Sequence, residues 1–337
     1  MIKIGVVGFG YWGPNLVRNF MSLDGITVTK VADLSEARLK ALARLHPTIA
    51  FTSDYREVVK DPAVDVVIVA TPVSTHHEIA KAALEAGKHC FVEKPLADSS
   101  AKAQELIEIA DRRRVRLFVD YTFLFTGAVR KMKEVVDRGE LGQILYFDSV
   151  RINLGLFQHD VNVVWDLAPH DLSIMDFLIG RQPKAVSAIG ACHVFNKLEN
   201  VAYVSVIYDD DLVAHFHVNW MAPVKIRQII LGGSEKMLIF DDMAPEKIRI
   251  YDRGLSAPLA GLRNLPFQQP VGYRMGGMVA PQIDTTEALK VECEYMLKVI
   301  RTGEKPINGG EAGLRIVKIL EAATKSIALR GAAVELD

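Results

Sequence analysis

The chain has 337 residues, half of them hydrophobic, and 40 Lys and Arg against 41 Asp and Glu leave a formal net charge of −1. That length leaves room for two domains with sizeable cores, while the charge balance lacks the basic excess of a nucleic-acid binder and no apolar run is long enough to span a bilayer. Three scattered cysteines, Cys90, Cys192 and Cys293, exclude a cysteine zinc site or a disulfide framework as the organising device and suit a reduced, cytoplasmic compartment. The N-terminus enters an apolar strand directly, without the basic stretch, apolar core and cleavage site of a signal peptide.

The first 120 or so residues alternate strand and helix. Short apolar strands read at Ile2–Val7, Ile26–Ala32, Val64–Ala70, Cys90–Val92 and Leu117–Val119. Helical patterns lie between them at Pro14–Met21, Ser35–Leu45, His76–Ala86 and Ser99–Arg113, with Gly87 as a stop. Such strands suit a parallel sheet covered by helices on both faces. The character changes after Tyr121. A helix over Ala128–Arg138 is followed by longer, alternating strands at Ile144–Asn153, Ala185–Val194, Ala202–Tyr208, Leu212–Trp220, Lys225–Gly232 and Met237–Asp241. Their closeness in sequence predicts a large, mostly antiparallel open sheet. Helices near Thr286–Arg301 and Gly310–Leu329 close the chain. The fold class expected is α/β, with a Rossmann dinucleotide-binding domain over 1–121 and an α+β substrate-binding and oligomerisation domain over 122–337.

The first strand ends in Gly8-Phe9-Gly10-Tyr11-Trp12-Gly13 and a helix follows. In a dinucleotide-binding turn the first glycine makes the turn tight, the second lets backbone approach a pyrophosphate, and the third lets helix and strand pack. The helix N-terminus then offers N–H groups to the phosphates. Asp33, about twenty residues on, ends the second strand where a carboxylate accepts the adenosine ribose hydroxyls. It would repel a 2′-phosphate and no Arg follows it directly, so NAD is expected over NADP. Asp33 could instead, or also, cap the helix over Ser35–Leu45. Leu34 beside it is a further cofactor contact.

Three later segments carry chemistry. Thr71-Pro72-Val73, with His76, should run along the cofactor beyond the third strand; Ser74 or Thr75 could cap the next helix. Glu93-Lys94-Pro95 ends the next strand, and a Lys there is poorly explained by packing. Lys94 could bind a substrate hydroxyl or relay a proton, with Glu93 holding it or contacting the nicotinamide ribose; a surface ion pair is the alternative. In Trp165-Asp166-Leu167-Ala168-Pro169-His170-Asp171, Pro169 suits the first turn of a helix that Gly180 stops. Asp166 could orient His170 as a base, or Asp166 or Asp171 could merely cap the helix.

In this order the glycine turn, Thr71-Pro72, Glu93-Lys94-Pro95 and Asp166-x-x-x-His170 resemble the Gfo/Idh/MocA oxidoreductases, which include glucose–fructose oxidoreductase and inositol dehydrogenase. The resemblance covers nearly the whole chain. It implies that Lys94, Asp166 and His170 are the catalytic set for hydride transfer between a sugar carbon and nicotinamide, and that copies pair through the second-domain sheet as a dimer or tetramer. Where many relatives carry an Asn-Arg-Arg-like segment, this chain has Asp120-Tyr121-Thr122-Phe123. Tyr121, Thr122 and Trp165 are expected near cofactor or substrate. The stretches Arg151–Phe157 and Trp165–Asp171 resemble the branch acting on nucleotide sugars in polysaccharide synthesis, some of whose members oxidise UDP-N-acetylglucosamine uronate. Arg151 and Asn153 share a strand face and are candidate substrate contacts, or a solvated face. A free-sugar or inositol dehydrogenase and a non-catalytic NAD sensor are the alternatives.

No metal site is expected: His215-x-His217 share a strand face, which reads as packing. Val204, Val206 and Phe216 are expected to need cover from a partner copy. In the irregular stretch 253–283, Arg263 and Arg274 could reach substrate phosphates, or the stretch could be an oligomer-contact or disordered loop.

Overall fold

The structure, a computed structural model, describes residues 1–155, 157–158, 160–194, 198–256 and 272–336. It divides into two units. The first comprises residues 1–125 and 286–318, and the second comprises 126–285 and 319–337.

In the first unit, β1 (Ile2–Val7), α1 (Gly13–Met21), β2 (Ile26–Ala32), α2 (Glu36–Leu45), β3 (Ala50–Thr52), α3 (Tyr55–Val59), β4 (Val66–Val69), α4 (Val73–Glu85), β5 (His89–Val92), α5 (Ser100–Arg113) and β6 (Leu117–Val119) alternate. The strands form one parallel sheet in the order β3-β2-β1-β4-β5-β6. Winding reverses between β1 and β4, and the crevice at their carboxyl ends is where such sheets bind ligands. Backbone bonds align those ends. Gly8 N–H donates to Ala32 O, Ala70 N–H to Val7 O, Glu93 N–H to Val69 O and Asp120 N–H to Val92 O, all at 2.8 Å. The residues leaving β1, β4, β5 and β6 therefore stand in one row. β3 and α3, too short to show a period, were not legible in the sequence.

The second unit holds α6 (Gly127–Asp137), β7 (Ile144–Leu154), α7 (Val163–Ile179), β8 (Ala185–Ala191), β9 (Val201–Ile207), β10 (Val213–Asn219), β11 (Met221–Gly233), β12 (Met237–Asp241), β13 (Ile248–Tyr251), β14 (Gly254–Leu255), β15 (Tyr273–Arg274) and β16 (Met278–Val279). The last elements of the chain are α8 (Ala288–Thr302), α9 (Gly310–Ala328) and β17 (Val334–Glu335). Among the described residues a nine-stranded sheet runs β16-β13-β12-β11-β7-β10-β9-β8-β17. Only its β7–β10 pair is parallel, so the sheet is mixed but mostly antiparallel.

Two expectations change here. The domain boundary drawn at residue 121 left all later residues in the second domain, yet 286–318 return to the first unit. The cause is apolar: Leu289, Cys293, Met296, Leu297 and Val299 of α8 join one core cluster with Ile4, Val6, Phe20, Phe91 and Phe118. Second, Val204, Val206 and Phe216 need no partner copy. They are buried on the sheet face that packs with α7. The opposite face carries Tyr203 (47 % exposed), Ile189 and Val213.

Candidate active site

The glycine turn owes its shape to close approach. Gly8 has φ +95°, and a Cβ there would lie 2.4 Å from the Ala70 carbonyl oxygen. A Cβ on Gly13 would lie 2.6 Å from the Gly8 carbonyl oxygen. Gly10 is different: nothing lies within 4 Å of its would-be Cβ. The turn is thus closed behind Gly8 and Gly13 and open in front of Gly10. α1 begins there with Pro14 in its first turn and no side-chain cap. An uncapped helix N-terminus behind an open glycine fits a diphosphate. Tyr11 and Trp12 are exposed beside it, edge to face at 5.5 Å.

Asp33 shapes this turn directly. Its Oδ2 accepts the Phe9 N–H at 2.7 Å and its Oδ1 the Ser35 N–H at 2.8 Å. It does not cap α2: Ser35 does, accepting from Arg38 N–H. Arg38 also approaches Asp33 Oδ2 at 3.5 Å, a cation beside the carboxylate expected at the ribose, five residues on rather than directly after it. Leu34 is 91 % exposed. The chain's own residues fit NAD, whose nicotinamide supplies the hydride chemistry when bound.

Beyond β4, neither Ser74 nor Thr75 caps α4, whose N-cap is Pro72. The Thr75 hydroxyl instead bonds to Thr71 Oγ1 and to the Pro72 carbonyl, both at 2.8 Å. His76, expected on the cofactor, is 1 % exposed. Its Nδ1 faces the Pro95 carbonyl at 2.9 Å and its Nε2 the Thr71 carbonyl at 2.7 Å. Carbonyls only accept, so the ring reaches each of them as a donor where that nitrogen carries the proton, the tautomer deciding which. His76 therefore ties the loop after β4 to the Lys94-Pro95 turn after β5. Glu93 is buried in that turn and Lys94 is half-buried.

Past β6 the row ends in Asp120, which sequence reasoning passed over. The Thr122 hydroxyl donates to Asp120 Oδ1 at 2.5 Å. The Tyr121 ring is buried, and its backbone N–H donates to Glu292 Oε1 at 3.1 Å. Burial, then the charge of Asp120, pushes the Glu292 carboxyl well above the usual carboxylate range. Burial also raises Asp120, against the opposing pull of Thr122 and Lys94. A signal for Glu292 existed: it lies on the same stripe as Leu289, Cys293 and Met296, where an apolar residue belongs.

In the second unit Asp166 and His170 are one turn apart on α7, hence on one face. α7 starts six residues before Pro169, with Asn162 Oδ1 accepting from Val164 and Trp165 N–H. Pro169 is therefore interior, and the Trp165 carbonyl receives no helix bond from it. Asp166, not His170, occupies the first turn, where the helix dipole favours a carboxylate. Asp166 Oδ2 accepts the Trp220 indole N–H at 2.9 Å. Phe157 lies 5.6 Å from that indole, and Asn153 and Trp220 both crowd Gly155. Asn153, Phe157, Trp220 and Asp166 thus gather at one end of the second-unit sheet. Trp165 donates from its indole to Thr324 Oγ1 at 2.9 Å.

Arg151 does something other than expected. It is 2 % exposed and forks onto Asp171, Nε to Oδ2 at 2.9 Å and Nη2 to Oδ1 at 2.6 Å. The Ser149 hydroxyl adds a bond to Oδ2 at 2.8 Å. Strand parity puts Arg151 with Ser149 and Phe147 on the buried face, so the guanidinium fastens β7 to α7 rather than meeting solvent or substrate. Arg274 pairs with Asp252 and donates to the Glu235 carbonyl; Arg263 lies outside the described residues. His217 stacks on Tyr203 at 4.5 Å. Among the described residues no group of three or more His, Cys, Asp or Glu is placed to hold a metal. No helix there is long and apolar enough to cross a membrane.

The fold and its phosphate turn define a NAD-binding oxidoreductase. Residues 2–121 match the family described as "Oxidoreductase family, NAD-binding Rossmann fold", and residues 129–239 match the "GFO/IDH/MocA C-terminal domain". Together these matches span most of the chain, which belongs to the Gfo/Idh/MocA oxidoreductase family. It is similar to the myo-inositol 2-dehydrogenase of Thermotoga maritima, 24 % identical over 97 % of this chain and 96 % of the relative. In fold it is similar to levoglucosan dehydrogenase complexed with NADH and L-sorbose, with a TM-score of 0.85 and 19 % identity over 100 % of this chain and 99 % of that one. It is also similar in fold to the UDP-N-acetylglucosamine 3-dehydrogenase of Acidithiobacillus ferrooxidans, with a TM-score of 0.81 and 23 % identity over 97 % and 98 % of the two chains.

Proposed function

We propose that this oxidoreductase moves hydride between a secondary-alcohol carbon of a sugar and NAD, and that the sugar carries a nucleotide. In the oxidative direction His170 takes the hydroxyl proton as the C–H hydride leaves for the cofactor. Lys94 binds and polarises the same oxygen, and Asp166 supports His170. Acid–base assistance of this kind is worth about a hundredfold to ten-thousandfold. The observation that carries the reading is the Asp166–His170 pair on one face of α7, with Asp166 held by Trp220. A merely capping aspartate would sit at the N-cap, and Asn162 occupies that place. The nucleotide rests on the likeness of the Arg151–Phe157 and Trp165–Asp171 stretches to nucleotide-sugar enzymes.

A second reading, oxidation of inositol or a free sugar, is favoured by the full-length similarity to a myo-inositol 2-dehydrogenase. Turnover with NAD, followed by mass spectrometry on UDP-N-acetylglucosamine uronate, its nucleotide-free sugar and inositol, separates the two. Oxidation of the nucleotide sugar alone, lost in Lys94→Ala, supports the first reading. Oxidation of inositol or the free sugar replaces it with the second. NAD binding without turnover of any sugar would favour a sensor. The open sheet face with Tyr203, Ile189 and Val213 is the proposed self-association surface; a monomer by sedimentation would refute it.

A further inference from the structure

Arg38 of α2 is a cation for which NAD, with bare ribose hydroxyls, has no use. It stands beside Asp33, the carboxylate directly after β2. The Asp33 side chain is only 7 % exposed, and backbone engages both its oxygens. Oδ2 accepts the Phe9 N–H at 2.7 Å and Oδ1 the Ser35 N–H at 2.8 Å. Charge-assisted bonds of this kind run at about 2.7–2.9 Å. The Arg38 guanidinium lies farther out, Nη1 at 3.5 Å from Oδ2, with its side chain 56 % exposed. Asp33 is therefore held in place without Arg38, and Arg38 is a loosely engaged cation next to it.

This changes what a second anion meets there. A carboxylate offers about four acceptor sites. Phe9, Ser35 and Arg38 take three, which leaves one for a ribose hydroxyl and offsets much of the charge that would repel a phosphate. A phosphate on the ribose carries up to about two negative charges, and a guanidinium forks onto phosphate oxygens. A long contact to Asp33 yields readily to such a partner. Ser35 adds a donor: its Oγ accepts the Arg38 N–H at 3.4 Å as the cap of α2, and a hydroxyl that accepts can still donate. The one acid of α2, Glu36, faces Lys40 at 3.4 Å, which tempers its repulsion. An Arg near the ribose carboxylate is the arrangement that accommodates a 2′-phosphate.

We propose that Arg38 admits NADP as a second, weaker cofactor by pairing with its 2′-phosphate, and so sets the ratio in which this protein binds NADP and NAD. NAD stays the tighter ligand because the Asp33 carboxylate remains in place. Arg38 is a specificity-determining residue, and the Ser35 hydroxyl supports it. Binding needs no sugar, so the result stands whatever alcohol the protein oxidises.

Calorimetry with NAD and with NADP on the wild-type protein tests this. NADP should bind within about a hundredfold of NAD, and its affinity should fall more steeply with added salt. A hydrogen bond to a charged group is worth roughly one to two orders of magnitude in affinity. Arg38→Ala should therefore weaken NADP about tenfold or more and NAD far less. Arg38→Lys keeps the charge without the fork, and its NADP affinity should fall between the two. Arg38 is exposed, so these variants test binding rather than folding. Wild-type protein that binds NAD and no NADP overturns the proposal. So does Arg38→Ala with unchanged NADP affinity, or with NAD and NADP weakened equally, which would give Arg38 a purely structural role at Asp33.

Discussion

Trp220 and Asp166 are joined by a bond from the indole N–H to the carboxylate, 2.9 Å long, between the end of β10 and the first turn of α7. Trp220 is fully buried and Asp166 half-buried, so the bond is partly shielded from water. Hydrogen bonds to charged groups are worth about 1.5–3 kcal/mol. Trp220→Phe keeps the ring and removes the donor, and kcat is expected to fall about tenfold, each 1.36 kcal/mol of barrier being tenfold. A cycle with Asp166→Asn should be strongly non-additive. Additive effects would show that the indole does not act through Asp166.

Arg151 and Asp171 predict a stability effect instead. Breaking a buried ion pair by removing one partner costs about 3–5 kcal/mol. Arg151→Met should lose that much in urea unfolding, and Asp171→Leu in the same chain should recover most of it. If the double variant is no better than the single, packing rather than charge is at stake.

These two pairs show what the sequence displays and what it hides. Spacing within one element was legible: the glycine turn, the Gly180 stop and the Asp166–His170 interval all depend on neighbours a few residues away. Face parity in β10 was legible too, which is why Phe216 is buried. What covers that face was not, because α7 lies some 40 residues earlier in the chain. Arg151 was misread for the same reason, since its partner is twenty residues on. The start of α7 was misplaced because Pro169 normally marks a first turn, and here the helix tolerates it inside. Tyr121 and Glu292 are 171 positions apart, and only folding puts them together.

Glu287 supplies a pH prediction. Hydrogen bonds from Arg18 and Asn19 hold its carboxyl down from 4.5 to about 2. A depressed folded pKa stabilises above the unfolded value, and the benefit is lost as pH falls through the folded one. Wild type should therefore melt above Glu287→Gln at neutral pH, and the gap should close as pH drops from 4.5 towards about 2. Both side chains are roughly half exposed, so the gap should be small and should shrink with salt. A gap that widens on acidification would contradict the assignment.

The glycine turn gives the sharpest separation of folding from binding. Gly8→Ala forces a Cβ to 2.4 Å from the Ala70 carbonyl at a φ of +95°, so it should destabilise the first unit. Gly10→Ala meets nothing within 4 Å, and Gly10 has no positive φ. Its melting temperature should match wild type. The added methyl instead projects where a pyrophosphate must approach backbone. NAD affinity, read by calorimetry, is expected to fall at least tenfold, about 1.4 kcal/mol or more. Wild-type affinity in Gly10→Ala would move the phosphates away from this turn. A loss of stability there instead would mean that Gly10 serves the fold, as Gly8 and Gly13 do.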